Sequence, residues 1–252
     1  MANWSDPRAD MRTGTAPFGR GQAGAVAAGY DAGLRAYMLS VYNYMASGVL
    51  LTGIVAMLFA SSGYLRLLFD PATGKPSIAG WIVTFAPLAI VFAMSFGQQR
   101  MATGTLKSLF WAYAVLMGLS LSTVFIAYTG TSIAGAFFAT AAGFAGLSLW
   151  GYTTNRDLSP MGTFLLVGLI GLIVASLLAM WLPGLNLVVS IAGVLIFAGL
   201  TAYDTQRIKS MYDYVAGTPD VDRVVVMSAL NLYLDFINMF LFVLRLFGSS
   251  RN

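Results

Sequence analysis

Two acidic side chains in the second half of the chain are best equipped to do chemistry. Asp235 sits in Asn231-Leu-Tyr-Leu-Asp-Phe-Ile-Asn-Met-Phe240, near the middle of an apolar run from Val224 to Phe247. Such a run is long enough to cross a bilayer, which takes roughly 20 apolar residues. A carboxylate at its centre costs ~3 kcal/mol or more. Wound as a helix, Ser228, Asn231, Asp235 and Asn238 share one stripe through i+3 and i+4 spacing. A stripe of that kind turns toward other helices or toward water, not toward lipid. The second acid, Asp204, lies in Thr201-Ala-Tyr-Asp-Thr-Gln-Arg-Ile-Lys209, where the preceding apolar span ends. An acid near a helix C-terminus is opposed by the macrodipole and needs a cation, a proton or a polar partner. Arg207, one turn on, offers a local ion pair.

Depth decides whether the two acids can meet. Asp235 lies 11 residues into its span, or about 16 Å at the helical rise. Asp204 matches that only if its helix runs on for two or more turns. Thr205 to Tyr212 hold no Pro or Gly, and Arg207 and Lys209 can snorkel to the headgroups, so the spacing predicts a helix continuing to about Tyr212. Two carboxylates that meet in a low dielectric cannot both stay charged; they titrate as a unit and can share one proton near neutral pH. Losing that proton sets like charges against each other across two helices. It also leaves oxygen ligands, to which Asn231 and Asn238 would add carbonyls, and hard cations such as Ca²⁺ favour such ligands. A proton-gated cation path follows, with Asp204 and Asp235 as sensor and as ligands to a passing Ca²⁺ ion, and with no bound cofactor.

The composition narrows the alternatives. Of 252 residues, 58% are hydrophobic and 10% charged, against about 25% charged in a soluble domain, so the chain is a polytopic membrane protein. The net charge of +4 fits loop bias better than nucleic-acid binding. There is no Cys and no His, and all ten acids are Asp. Thiol chemistry, a His-based triad and a typical zinc site are thereby excluded or made improbable. Only an Asp is left to serve as a side-chain proton switch.

The elements that must position the acids are seven apolar segments: Tyr37–Ala60, Ile78–Gly97, Leu109–Ala127, Ile133–Trp150, Thr163–Trp181, Leu185–Tyr203 and Val224–Phe247. Trp81, Trp111, Trp150 and Trp181 fall at segment ends, as interfacial indoles do. Gly143, Gly146, Gly168 and Gly171 are expected to allow close helix contact, and Pro87 to bend the second span. Residues 1–34, rich in Gly, Ala, Arg and Asp, read as a flexible cytoplasmic tail ahead of a 35–252 membrane domain. With the N-terminus inside, ten cations (Arg8, Arg12, Arg20, Arg35, Arg100, Lys107, Arg156, Arg207, Lys209, Arg223) face the cytoplasm. Four (Arg66, Lys75, Arg245, Arg251) face out. That bias, with seven spans, puts the C-terminus on the periplasmic side.

Tyr203-Asp204 followed by Gln206, Ile208 and Lys209, and Leu232-Tyr-Leu-Asp-Phe-Ile-Asn238 in the last span, resemble the Bax inhibitor-1 family, above all its bacterial YccA-like and YetJ-like members. The resemblance implies an all-α bundle of seven transmembrane helices in the bacterial inner membrane, the last helix central and the other six around it. It implies a non-enzymatic, pH-sensitive Ca²⁺ leak sensed by an aspartate pair, here Asp204 and Asp235. In relatives an arginine at the inner end of the second span latches onto the first of these aspartates. Gly97-Gln-Gln-Arg-Met101 offers Arg100 or, two positions earlier, Gln98 for that role.

Three other readings stand beside the leak. Paired intramembrane aspartates also serve aspartyl proteases, but Asp235 follows Leu232-Tyr-Leu instead of a Gly-x-Gly stretch, and the Pro-Ala-Leu element is absent. YccA-like proteins are associated with restraining a membrane-bound AAA protease, which would place specificity in the N-terminal tail. A structural reading has the polar stripe only hold the bundle together, at ~0.6 kcal/mol per contact.

Overall fold

The computed structural model describes residues 20–70 and 73–249, and among them there is no strand. Seven helices are long and apolar enough to cross a membrane: α1 (Arg20–Ser61), α2 (Ile78–Gly97), α3 (Thr103–Leu121), α5 (Gly130–Thr153), α6 (Ser159–Leu178), α7 (Asn186–Val215) and α8 (Val221–Phe247). A single turn, α4 (Val124–Ala127), prolongs α3. The chain is thus an all-α membrane protein.

The last helix is its axis. In the most apolar window of α8, 67% of residues are buried inside the protein, against 11–33% in the other six. α1, α3, α5 and α7 pack directly on α8, while α2 packs on α3 and α6 on α7, completing the jacket. The sequence accounts for the difference. α2, α3, α5 and α6 carry at most one charged residue each, suited to lipid on their outer faces, whereas α8 keeps small and polar residues among large apolar ones. Tyr233, Leu230, Leu232, Val226 and Leu244 are fully buried. Inside the bundle the Thr52 hydroxyl donates to the Ala114 carbonyl at 2.8 Å, so the Tyr233 hydroxyl, 2.6 Å away, donates to Thr52. One buried chain of hydrogen bonds thereby ties α8, α1 and α3.

Several boundaries differ from the sequence expectation. α1 begins at Arg20 instead of near residue 35. Just ahead of the apolar segment it has a partner that hydropathy does not reveal: Tyr212 of α7 lies between the rings of Tyr30 and Tyr37, and Tyr30 donates to Asp213. Residues 1–19, most of the expected tail and of the segment assigned to a partner protease, lie outside the described residues. α3 starts at Thr103, which puts Trp111 two turns inside the helix instead of at its end. Pro87 stands buried within a continuous α2.

The close helix contacts also fall elsewhere than expected. A Cβ on Gly143, Gly146 or Gly171 would meet nothing within 4 Å, and one on Gly168 only an ordinary contact with Ile196 at 3.4 Å. Gly151 and Gly118 are tight points, and a Cβ on Gly118 of α3 would meet the Thr52 carbonyl of α1 at 2.8 Å. At Gly151 α5 lies so close to α7 that a Cβ would run into the Ala202 carbonyl.

Candidate functional site

α7 does not stop at the apolar boundary. It continues through Asp204 to Val215, as the absence of Pro and Gly predicts, and this extension lifts the acid into the bundle beside α8. Its inner face there is Thr201, Ala202, Thr205 and Ile208, all buried. Two features hold the extension in place. The Gln206 amide donates to the Arg156 carbonyl at 2.8 Å and accepts from the Leu158 N–H at 2.8 Å, clamping the α5–α6 link to α7. In the same link Ser159 donates to Asp157 at 2.9 Å, and its bonds hold the exposed Asp157 carboxyl below the usual carboxylate range. Across the bundle, the Tyr42 hydroxyl of α1 lies 3.3 Å from the Thr205 hydroxyl.

The fold brings Asp204 and Asp235 together, carboxyl to carboxyl, within hydrogen-bonding reach. Asp235 is 4% exposed and its Oδ2 has no donor. Two ionised carboxylates are acceptors only and can offer each other nothing. One proton on either turns it into a donor and completes the bond. Arg207 is exposed and acts on Asp204 as a nearby positive charge, but the expected ion pair is not among the salt bridges of the described residues.

The other expected site residues divide. Ser228 is buried on the same helix. Asn238 is half-buried, and its amide donates to the Leu234 carbonyl of its own helix at 2.8 Å. Asn231 is exposed. The i+4 stripe is wide enough that its edge falls outside the interior, so Asn231 does not extend the oxygen cluster around the acids. Neither candidate latch reaches Asp204. α2 ends at Gly97, the Gln98 amide donates to the Ser95 carbonyl at 3.2 Å, and Arg100 is exposed in the following turn. The physical reason is that α2 packs on α3 and makes no extensive contact with α7. Among the described residues no group of three or more acidic or other ligand side chains could hold a metal ion.

Sequence reasoning missed Thr205 and Tyr42. Thr205 could have been found, since it follows Asp204 and is the small polar residue that the α7 interior requires. Tyr42 carries no signal, because nothing in the first apolar segment marks which face meets α7.

Residues 34–252 match the protein family described as "Inhibitor of apoptosis-promoting Bax1". The chain is 47% identical to RP147 of Rickettsia prowazekii over 88% of its own length and 93% of the relative's. It is 43% identical to a Caulobacter vibrioides protein over 93% and 98% of the two chains. With the inner membrane protein YbhL of Escherichia coli it shares 44% identity over 87% and 94%.

Proposed function

The chain belongs to the Bax inhibitor-1 family, and from that premise we propose that it is an inner-membrane cation leak, with Ca²⁺ as the carried ion, whose rate is set by the proton shared between Asp204 and Asp235. The membrane assignment draws on the likeness to YbhL and on the seven apolar helices. The charge bias of the loops supports an N-terminus in the cytoplasm and a C-terminus in the periplasm.

One observation carries the mechanism: two carboxyls from neighbouring helices face each other inside the bundle, and one of them has a buried oxygen without a donor. With one proton the pair is a short, charge-assisted hydrogen bond that staples α7 to the central helix. Without it, two negative charges in a low dielectric repel, and the staple becomes a wedge. The same event exposes up to four carboxylate oxygens to a cation entering along α8. Conduction therefore rises as pH rises through the titration of the pair. The test is Ca²⁺ flux into liposomes across a pH series, for the wild type and Asp235→Asn. A pH-dependent wild-type flux that becomes flat in the variant supports the reading; superimposable profiles reject it.

A further inference from the structure

α1 and α5 both pack on α8 but part from one another, leaving a groove of about 820 Å³ in the ring of helices. Ligand sites commonly measure about 300–1,000 Å³. The groove follows α1 from Arg35 to Leu50, a length of about 22 Å at the helical rise. That exceeds one leaflet of hydrocarbon, roughly half of the ~30 Å core. Phe144 of α5 and Phe236 of α8 are among the residues that line it.

Its two ends differ in chemistry. The end at Leu50 and Phe137 is apolar. The other end carries Arg35, exposed and without a carboxylate partner among the described residues. Tyr152 closes that end, with the Lys209 ammonium 4.8 Å from its ring centroid. One turn inward from Tyr152, the Ser148 hydroxyl is buried against the groove with no hydrogen-bond partner. A buried hydroxyl left unpaired calls for an acceptor from whatever fills the space. Along one line the groove thus offers a cation, then a free donor, then an apolar trough.

We propose that this groove holds one acyl chain of an anionic glycerophospholipid. The phosphate sits at Arg35, an ester carbonyl accepts from Ser148, and the chain runs past Phe144 and Phe236 toward Leu50. The bound chain also lies against Tyr42, which lines the groove and reaches Thr205, next to Asp204. The assignment does not depend on any ion flux.

The experiment uses the full chain in detergent with phosphatidylglycerol carrying a photoactivatable diazirine in its acyl tail, followed by peptide mapping. Adducts are expected to concentrate on the peptides that contain Met38, Met45 and Phe144. In Ala145→Trp, which fills the trough, they should fall to the level of the outer face of α6, whereas Leu166→Trp on that face leaves them unchanged. Two milder variants keep the test decisive if Ala145→Trp does not fold. Arg35→Gln should erase a preference for phosphatidylglycerol over phosphatidylcholine. Ser148→Ala should erase a preference for ester-linked over ether-linked lipid. Even labelling of all outer faces, insensitivity to all three groove variants, or cross-links to a second copy through the groove in place of lipid overturns the proposal.

Discussion

At Asp235, replacing one oxygen by an amide nitrogen keeps size and hydrogen bonding but removes the titratable proton. Asp235→Asn can still donate to Asp204, so the bundle should stay closed at high pH as well as low, and its flux should be low throughout. Tyr233→Phe is the contrasting case. It removes the donor to Thr52, which keeps its own bond to Ala114. A loss of about 1 kcal/mol is expected, read as a lower melting temperature with the pH profile of flux unchanged. The two acids were legible in the sequence because a charge in an apolar run is costly and needs an explanation. Their partners were less so. Asn231 shares the helical stripe with Asp235 yet is exposed, since spacing gives the angle between side chains but not the width of the neighbours covering them. Arg100 and Gln98 have the right chemistry for a latch, but no sequence pattern says that α2 packs on α3 and away from α7.

Among the elements, the contact of α5 with α7 is sensitive to a small change. Gly151→Ala places a methyl group against the Ala202 carbonyl, and separating the helices should cost about 1–3 kcal/mol. Gly143→Ala meets open space and should be neutral or stabilising by up to about 1 kcal/mol, as Ala is the better helix former. Thermal unfolding of the two variants in one detergent compares them directly. Gln206→Ala removes both bonds of the α5–α6 clamp, so hydrogen exchange at Leu158 and faster proteolysis of the 154–158 link should follow. The length of α7 was readable because helix breakers are absent from its extension. The extension of α1 ahead of its apolar segment was not, because the one stretch of it with visible partners, at Tyr30, is held by tertiary contacts with Tyr212 and Asp213 instead of by apolar periodicity. Small-residue spacing likewise suggested close approach at Gly143 and Gly146, but such residues serve lipid-facing surfaces equally well, and only the packing, as at Gly151 and Gly118, distinguishes the two uses.

For the whole molecule, span number and the central place of the last helix were legible in hydropathy and in the one polar stripe, because a bilayer leaves helices few alternatives. Orientation rests on the cation count. Since the chain has no cysteine, Thr154→Cys and Thr73→Cys can be labelled one at a time with a membrane-impermeant thiol reagent in intact spheroplasts. Thr73→Cys should react and Thr154→Cys should react only after lysis; the reverse order would invert the topology. The central claim, that a proton held between two helices keeps the bundle shut, is tested most directly by structures of the wild type on either side of the pair's titration. At low pH the nearest Asp204 and Asp235 oxygens should stand about 2.5–2.7 Å apart, as in an O–H···O⁻ bond, and at high pH they should separate, with α7 displaced from α8. Oxygens that keep one separation at both pH values, with α7 unmoved, would contradict it.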